Sequence, residues 1–290
     1  MEERRYYSVA GHVFSVTADE TVFAQMTNYV PFRLDGAPQS TVFDLMLTNE
    51  PLPESRTHVF TDTLDAEMPR IEIYRAGTDW LFLVAPTRDS ETRMRLFISP
   101  DFHDARLQIL SDTRFCIDNA CMILFACAAA PLHTLTMHAA VVVRHDRGFL
   151  FLGKSGTGKS THARMWLQAF DDAWLLNDDN PVLRLLDNGE VRVYGSPWSG
   201  KTPCYIPRDV PVGAIIQLAQ APQNNIRTLR LPEAYACMLP SVSGLKIEPA
   251  MMDALYDTIA RIIQSVPVHH LDCLPDTDAA RVCAEAVQAR

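Results

Sequence analysis

The chain has 290 residues, of which 48% are hydrophobic and 21% charged, as in soluble globular proteins of one or two domains. A formal net charge of −9 without a long basic stretch argues against nucleic acid as a partner. No apolar run is long enough to span a membrane, and the seven cysteines contain no C-x-x-C pair, so we expect a cytoplasmic protein with free thiols and no membrane partner.

The first part of the chain, residues 1–112, alternates short β-like runs with turn residues. Examples are the runs 7–10, 12–16, 70–74 and 80–84. No catalytic motif stands out here. We therefore predict a β-rich accessory region, whose role and partner the sequence leaves open.

The second part, residues 113–290, mixes predicted strands and helices. It begins with a buried connecting helix predicted over 116–130, where nearly every face is apolar. Strands are predicted at 141–143, 149–152, 174–176, 182–186, 191–194 and 213–218, and helices at 161–170, 232–239, 248–264 and 276–288. Regular β-α-β crossovers are few, so we predict an α/β nucleotide-binding domain with a mixed sheet rather than a doubly wound one.

Residues 153–160 contain a complete G-x-x-x-x-G-K-[ST] motif between a predicted strand and a predicted helix. Such glycines let backbone N–H groups face a triphosphate at the positive end of the helix. Lys159 is expected to reach the β- and γ-phosphates, and Ser160 to ligate Mg²⁺. The motif predicts binding of ATP with Mg²⁺, or with Mn²⁺, rather than a plain glycine-rich turn. The expected nucleotide contacts are Gly153, Ser155, Gly156, Thr157, Gly158, Lys159, Ser160 and Thr161.

Asp178 and Asp179 follow the next predicted strand, 18 residues after Ser160. Two adjacent carboxylates can divide the work, because one can hold Mg²⁺ while the other accepts a proton from an attacking hydroxyl. A solvated turn that caps the strand is the alternative. The nearby motif favours catalysis by both aspartates together with Lys159, and the order of the two roles stays open.

A loop rich in glycine and proline, residues 195–202, carries Trp198 and Lys201. A turn at 187–189 would return this loop to the sheet end that bears the acidic pair. Trp198 would then contact the acceptor, and Lys201 would contact substrate and neutralise charge on the γ-phosphate during catalysis. A plain turn with a solvated lysine is the alternative. His162, in the first turn of the helix after the motif, is a further candidate for a phosphate or substrate contact.

The segments 137–140, 153–161 and 176–179 together resemble the phosphoenolpyruvate carboxykinase and HPr kinase/phosphorylase superfamily. Carboxykinases carry a similar histidine-containing strand, an S-G-T-G-K-T-T loop and a G-D-D-E segment in this order, and HPr kinases carry related segments. The resemblance covers about residues 133–220. It implies a P-loop core of that superfamily with metal ligands at Ser160, Asp178, Asp179 and His138.

The chain also departs from both families. The carboxykinase substrate site and its lysine metal ligand have no counterpart before His138, and the chain is shorter, which argues against carboxykinase-type activity. The Glu-Ile-Arg-Gly signature of HPr kinases is absent, and the 195–202 loop stands in its place. The resemblance implies a kinase that transfers phosphate to a hydroxyl of a protein serine or a small molecule. A non-catalytic ATP-binding regulatory module is the alternative, while phosphorolysis and a homo-oligomeric state stay open.

Overall fold

The computed structural model describes residues 2–62, 69–200 and 202–288. The chain divides into two compact units, Met1–Ala128 and Ala129–Arg290. The boundary lies at Ala128 rather than after residue 112, because helix α2 (Thr113–Ala128) packs on the sheet of the first unit. Phe125 of this helix meets the ring of Phe14 with the centroids 6.4 Å apart. The predicted connecting helix is therefore part of the core of the first unit.

The first unit contains a nine-stranded mixed sheet within the described residues, in the order β3-β1-β2-β4-β9-β8-β7-β6-β5. Strand β4 is parallel to both of its neighbours, and the other neighbouring pairs are antiparallel. A short helix α1 (Glu20–Phe23) follows β2. The strands are β1 (Glu3–Val9), β2 (His12–Ala18), β3 (Arg33–Leu34), β4 (Phe43–Leu47), β5 (Thr57–Asp62), β6 (Arg70–Ala76), β7 (Asp79–Ala85), β8 (Met94–Ile98) and β9 (Asp104–Ile109).

The second unit is built on another mixed sheet, in the order β10-β14-β15-β16-β12-β11-β13, with β18 beside β16 and β17 beside β18. Its strands are β10 (Thr134–Thr136), β11 (Ala139–Arg144), β12 (Arg147–Leu152), β13 (Trp174–Asp179), β14 (Val182–Leu185), β15 (Val191–Tyr194), β16 (Asp209–Gln220), β17 (Asn225–Thr228) and β18 (Val268–Cys273). The helices are α3 (Lys159–Ala169), α4 (Leu231–Met238), α5 (Pro249–Ser265) and α6 (Thr277–Gln288). These two large mixed sheets confirm the predicted mixed α/β class.

The centre of the second sheet follows directly from the apolar runs of the sequence. Strands β11 and β12 are buried on both faces, since their valines, leucines and phenylalanines leave almost no polar side. The turn between them places His145 and Asp146 at φ 49° and 56°, the conformation of a two-residue type I′ hairpin. Trp166 of α3 and residues of α6 cover one face. No helix in the described part of the chain is long and apolar enough to cross a membrane.

Strand direction brings several loops to one edge of this sheet. Strands β12, β16 and β18 are mutually parallel, and β13 runs the same way because both β13 and β12 are antiparallel to β11. The carboxyl ends of these four strands therefore lie at the same edge, where α/β proteins bind ligands. The 153–160 loop, the acidic pair and the loops after Gln220 and Cys273 all start there.

Candidate functional site

The 153–160 loop connects β12 to α3 in an open, curled conformation. Gly153, Gly156 and Gly158 adopt φ values of 155°, 78° and 106°, a region that favours glycine. Gly158 is the residue before the first turn of α3, where backbone N–H groups lack partners within the helix. Lys154 and Ser155 are exposed. The loop is therefore an accessible, positively polarised cradle of the kind that binds anions.

Lys159 is the first residue of α3, and its side chain reaches back to the backbone of this loop. Its Nζ donates to the carbonyl oxygen of Gly153 and to Nε2 of His138, both at 2.9 Å. Burial lowers the pKa of Lys159, and the carboxylates of Asp179 and Asp178 partly oppose that shift. The ammonium is thus held between the loop and the acidic pair.

The two aspartates have different partners. Asp178 is buried, and its Oδ1 accepts a hydrogen bond from Ser160 Oγ at 2.7 Å. Asp179 is about one third exposed, and its Oδ1 lies 3.0 Å from Nδ1 of His138. Because Lys159 donates to Nε2 of His138, the ring proton belongs on Nδ1 and points to Asp179. One carboxylate is therefore joined to the helix of the loop and the other to the histidine.

The groups at Ser160 and Asp178 fit a magnesium ion. A hydroxyl and a carboxylate are the hard oxygen donors that Mg²⁺ prefers, and their oxygens are 2.7 Å apart. Within the described residues, the ligand atoms of His138, Asp178 and Asp179 do not all lie within 4.8 Å of one another. The four predicted metal ligands thus form two pairs in this structure, Ser160 with Asp178 and His138 with Asp179.

The loop that begins at residue 195 packs against the acidic pair. The backbone N–H of Gly200 donates to the carbonyl oxygen of Asp178 at 2.6 Å, and Ser199 forms an isolated bridge with Asp179. A Cβ on Gly200 would lie 2.9 Å from that carbonyl oxygen, so the close approach requires glycine. Asp179 itself adopts φ 149°, a strained value for a residue with a side chain. This loop and strand β11 together hold Asp179 in place.

Trp198 has a different environment from the one predicted. Its side chain is buried with 3% of the residue exposed, so the indole is part of the interior and not an open wall for an acceptor. Its backbone oxygen accepts hydrogen bonds from Asn177 Nδ2 and Ser196 Oγ. Burial of a large aromatic ring is more favourable than its exposure to solvent. The glycine-rich sequence around Trp198 does not indicate that this residue is buried. Lys201 lies outside the described residues.

Comparisons with known proteins identify the family. The sequence profile described as SynChlorMet cassette protein ScmC matches residues 103–274, more than half of the chain. The chain belongs to the ScmC family. No curated protein matches the chain. Among solved structures, the Hpr(Ser) kinase/phosphatase from Coxiella burnetii matches over 53% of this chain and 97% of that chain, with 16% sequence identity and a TM-score of 0.32. A score this low supports no conclusion about function.

His162 of this ScmC family member is a core residue. It is 4% exposed, meets Phe151 edge to face, and accepts a hydrogen bond at Nε2 from the indole N–H of Trp166. Burial lowers its pKa to about 4, so the ring is neutral near pH 7. A neutral imidazole that is already hydrogen-bonded is a poor ligand for phosphate, so its predicted phosphate contact stays a prediction, and the residue also lines a cavity beside the 153–160 loop.

Stability should depend on this histidine below neutral pH. The pKa of His162 in the folded state lies below the unfolded value of about 6.5. Between these two pKa values only the unfolded chain binds a proton at this residue, so acidification stabilises the unfolded state. Between pH 7.5 and 5 we expect this group to cost the wild type about 2 kcal/mol of unfolding free energy. In His162→Gln, the amide oxygen can still accept the hydrogen bond from Trp166, and this loss of unfolding free energy should be absent. Urea unfolding of both proteins at the two pH values measures the difference; equal losses would contradict the assignment.

Several residues that support the site in this ScmC family member lie outside the sequence motifs. Asn177 is fully buried and donates to Ser196 Oγ, so it ties the strand before the acidic pair to the 195 loop. The carbonyl oxygen of Ser241 accepts from the backbone N–H of His138 at 2.6 Å. Gln220 donates to the carbonyl oxygens of the 153–160 loop. Asn177 adjoins the acidic pair in sequence, which is the one signal that would have suggested it.

Proposed function

We propose that this protein is an ATP- and Mg²⁺-dependent kinase that transfers the γ-phosphoryl group to a hydroxyl of a protein or a small molecule. One observation carries the proposal: two adjacent carboxylates with different partners lie beside an open glycine loop. Asp178 bonds to Ser160 of the loop helix, and Asp179 bonds to His138. The mixed α/β sheet with parallel strands ending at this edge is compatible with such a site.

The loop and Lys159 would bind the triphosphate. The backbone N–H groups around Gly158 and the helix end supply fixed partial positive charge, and the ammonium of Lys159 supplies a full one. Ser160 and Asp178 would hold Mg²⁺, which neutralises charge on the phosphate oxygens. Catalysis of phosphoryl transfer rests mostly on such positioning and charge neutralisation.

Asp179 and His138 would handle the acceptor. The acceptor oxygen forms a bond to the γ-phosphorus while the bond from that phosphorus to the bridging oxygen of ADP breaks. Asp179 takes the hydroxyl proton, and His138 keeps the carboxylate oriented through its Nδ1–H. This division of roles follows from the partners of each carboxylate, because Asp178 is committed to the serine of the loop.

A regulatory ATP-binding module is the competing function. Nucleotide binding needs the loop, Lys159 and one metal ligand. It does not need a second, partly exposed carboxylate that is held at a strained φ of 149° against a histidine. Backbone strain at a single residue persists where the surroundings enforce it, and it is concentrated at functional sites. The strained Asp179 therefore favours catalysis.

Transfer from γ-labelled ATP tests the proposal. The purified chain is incubated with labelled ATP and Mg²⁺, separately with extract proteins and with a metabolite pool, and acid-stable label is separated from ATP and free phosphate. We expect label on an acceptor that disappears with a chelator and with Lys159→Ala. Binding of ATP without labelled product in either pool would contradict the kinase and support the regulatory module.

A further inference from the structure

A cavity of about 310 Å³ opens beside the 153–160 loop. Its loop side consists of residues 156–158 together with Thr161 and His162, and its other side contains Leu218, Ala221 and residues 273–275. The volume is at the lower end of the range of about 300–1000 Å³ for small-molecule sites. None of the residues named above as metal or proton-transfer groups lines it.

The order of the strands places this cavity on the opposite flank of the loop from the acidic pair. Strand β12, which carries the loop, has β11 and then β13 on one side and β16 and then β18 on the other. Asp179 ends β13, whereas Gln220 and Cys273 end β16 and β18. A triphosphate in the loop with its terminal group toward the aspartates would direct its other end toward the cavity.

The outer wall of the cavity is apolar and is fixed by hydrogen bonds. Leu274 is 38% exposed although it is a large hydrophobic residue, and it follows β18 directly. Its backbone N–H donates to Oδ1 of Asn224 at 2.8 Å, and Asn224 donates in turn to Asp276. Asp276 also accepts from the N–H of Ala279 at the start of α6. The side chain of Leu274 therefore gives this wall its apolar surface, while hydrogen bonds to Asn224 and Asp276 hold the backbone in place.

Gln220 adds a polar group at the rim. Its Nε2 lies 3.3 Å from the carbonyl oxygen of Gly156 and 3.4 Å from that of Thr157. The end of β16 is thus tied to the loop itself. A flat ligand with apolar faces and a polar edge matches an apolar wall with an amide at its rim.

We propose that this cavity binds the nucleoside of the triphosphate, with the base against Leu218, Leu274 and Pro275. The inference rests on the proposed function, since it assigns the part of the nucleotide that the phosphate cradle does not hold. Residues at the ends of β16 and β18 would then make the protein bind a nucleotide more tightly than a polyphosphate without a base.

Calorimetric titration with Mg-ATP and with magnesium tripolyphosphate tests this assignment. Burial of one base against aliphatic side chains supports an affinity for ATP about 10- to 100-fold above that for tripolyphosphate. Ala221→Trp, which fills the cavity, should remove this preference, and Leu274→Ser should reduce it severalfold. Tripolyphosphate should bind both variants as it binds wild type. Leu231→Ser, at a leucine 54% exposed and outside the cavity lining, is the matched control and should keep the preference.

Alkylation of Cys273 provides a test that needs no variant. Six of the seven cysteines are buried, and Cys273, which lines the cavity, is half-buried. Burial raises the pKa of its thiol, so an uncharged maleimide at mildly alkaline pH is the suitable reagent. Mass spectrometry of the peptide that contains Cys273 should show protection by saturating ATP and none by saturating tripolyphosphate.

The outcomes separate the two proposals. Equal affinity of wild type for ATP and tripolyphosphate, a preference that survives in folded Ala221→Trp, or no protection of Cys273 by ATP would overturn the nucleoside site while the phosphate loop stands. Absence of binding of either ligand to wild type would instead overturn the proposed function. Thermal unfolding of each variant establishes that it is folded.

Discussion

Replacement of Lys159 by alanine is expected to weaken binding of Mg-ATP by at least about 100-fold without loss of the fold. The ammonium of Lys159 donates to the carbonyl oxygen of Gly153 in the loop and to Nε2 of His138. Charge-assisted hydrogen bonds are worth about 1.5–3 kcal/mol each, so loss of contacts to two phosphate oxygens accounts for this factor. The fold should persist because the buried carboxylate of Asp178, which loses the nearby ammonium, keeps its hydrogen bond from Ser160 Oγ.

Calorimetric titration with Mg-ATP and thermal unfolding measure the two effects. Lys154→Ala is the matched control: it makes the same change in the same loop at an exposed residue, and its affinity for ATP should stay within a few-fold of wild type. If Lys159→Ala bound Mg-ATP as tightly as wild type, the loop would not be a phosphate site.

Asparagine at each aspartate should separate nucleotide binding from transfer. Asp179→Asn keeps the shape and a hydrogen-bonding oxygen near His138 but cannot accept the hydroxyl proton. We expect ATP affinity within a few-fold of wild type and transfer reduced by about 10²–10⁴, the usual contribution of a general base. Asp178→Asn removes the charge beside Ser160, so it should raise the Mg²⁺ concentration needed for half-maximal activity.

Label transfer at varied Mg²⁺ and calorimetric titration distinguish the two variants. Asp187→Asn, in the exposed turn between β14 and β15, is the matched control and should behave as wild type. Wild-type transfer in both Asp178→Asn and Asp179→Asn would show that the pair caps a turn and has no catalytic role.

Most of the secondary structure of the second unit follows from local residue patterns. The runs around Val142 and Phe151 are apolar on both faces, which predicts buried strands, and β11 and β12 confirm it. The strand predicted over 191–194 is β15, and the helix predicted over 248–264 is α5 (Pro249–Ser265). Such elements are predictable because the pattern of buried positions repeats within one strand or one helix.

The glycine loop, the acidic pair and the histidine were also recognisable, since each is a short segment with its own residue types. The sequence by itself thus determined the α/β class, the strand–loop–helix order around residues 153–160, and the nearness of Asp178 to Ser160 along the chain.

The tertiary structure decided which atoms meet. The division of Asp178 and Asp179 between Ser160 and His138 depends on the register of β11 against β13, in which Ala139 pairs with Asp179. The burial of Trp198 and the cavity at the ends of β16 and β18 depend on strands far apart in the chain that become neighbours in the sheet. Pairing between distant segments leaves no periodic signal within either segment, so only the folded chain reveals it.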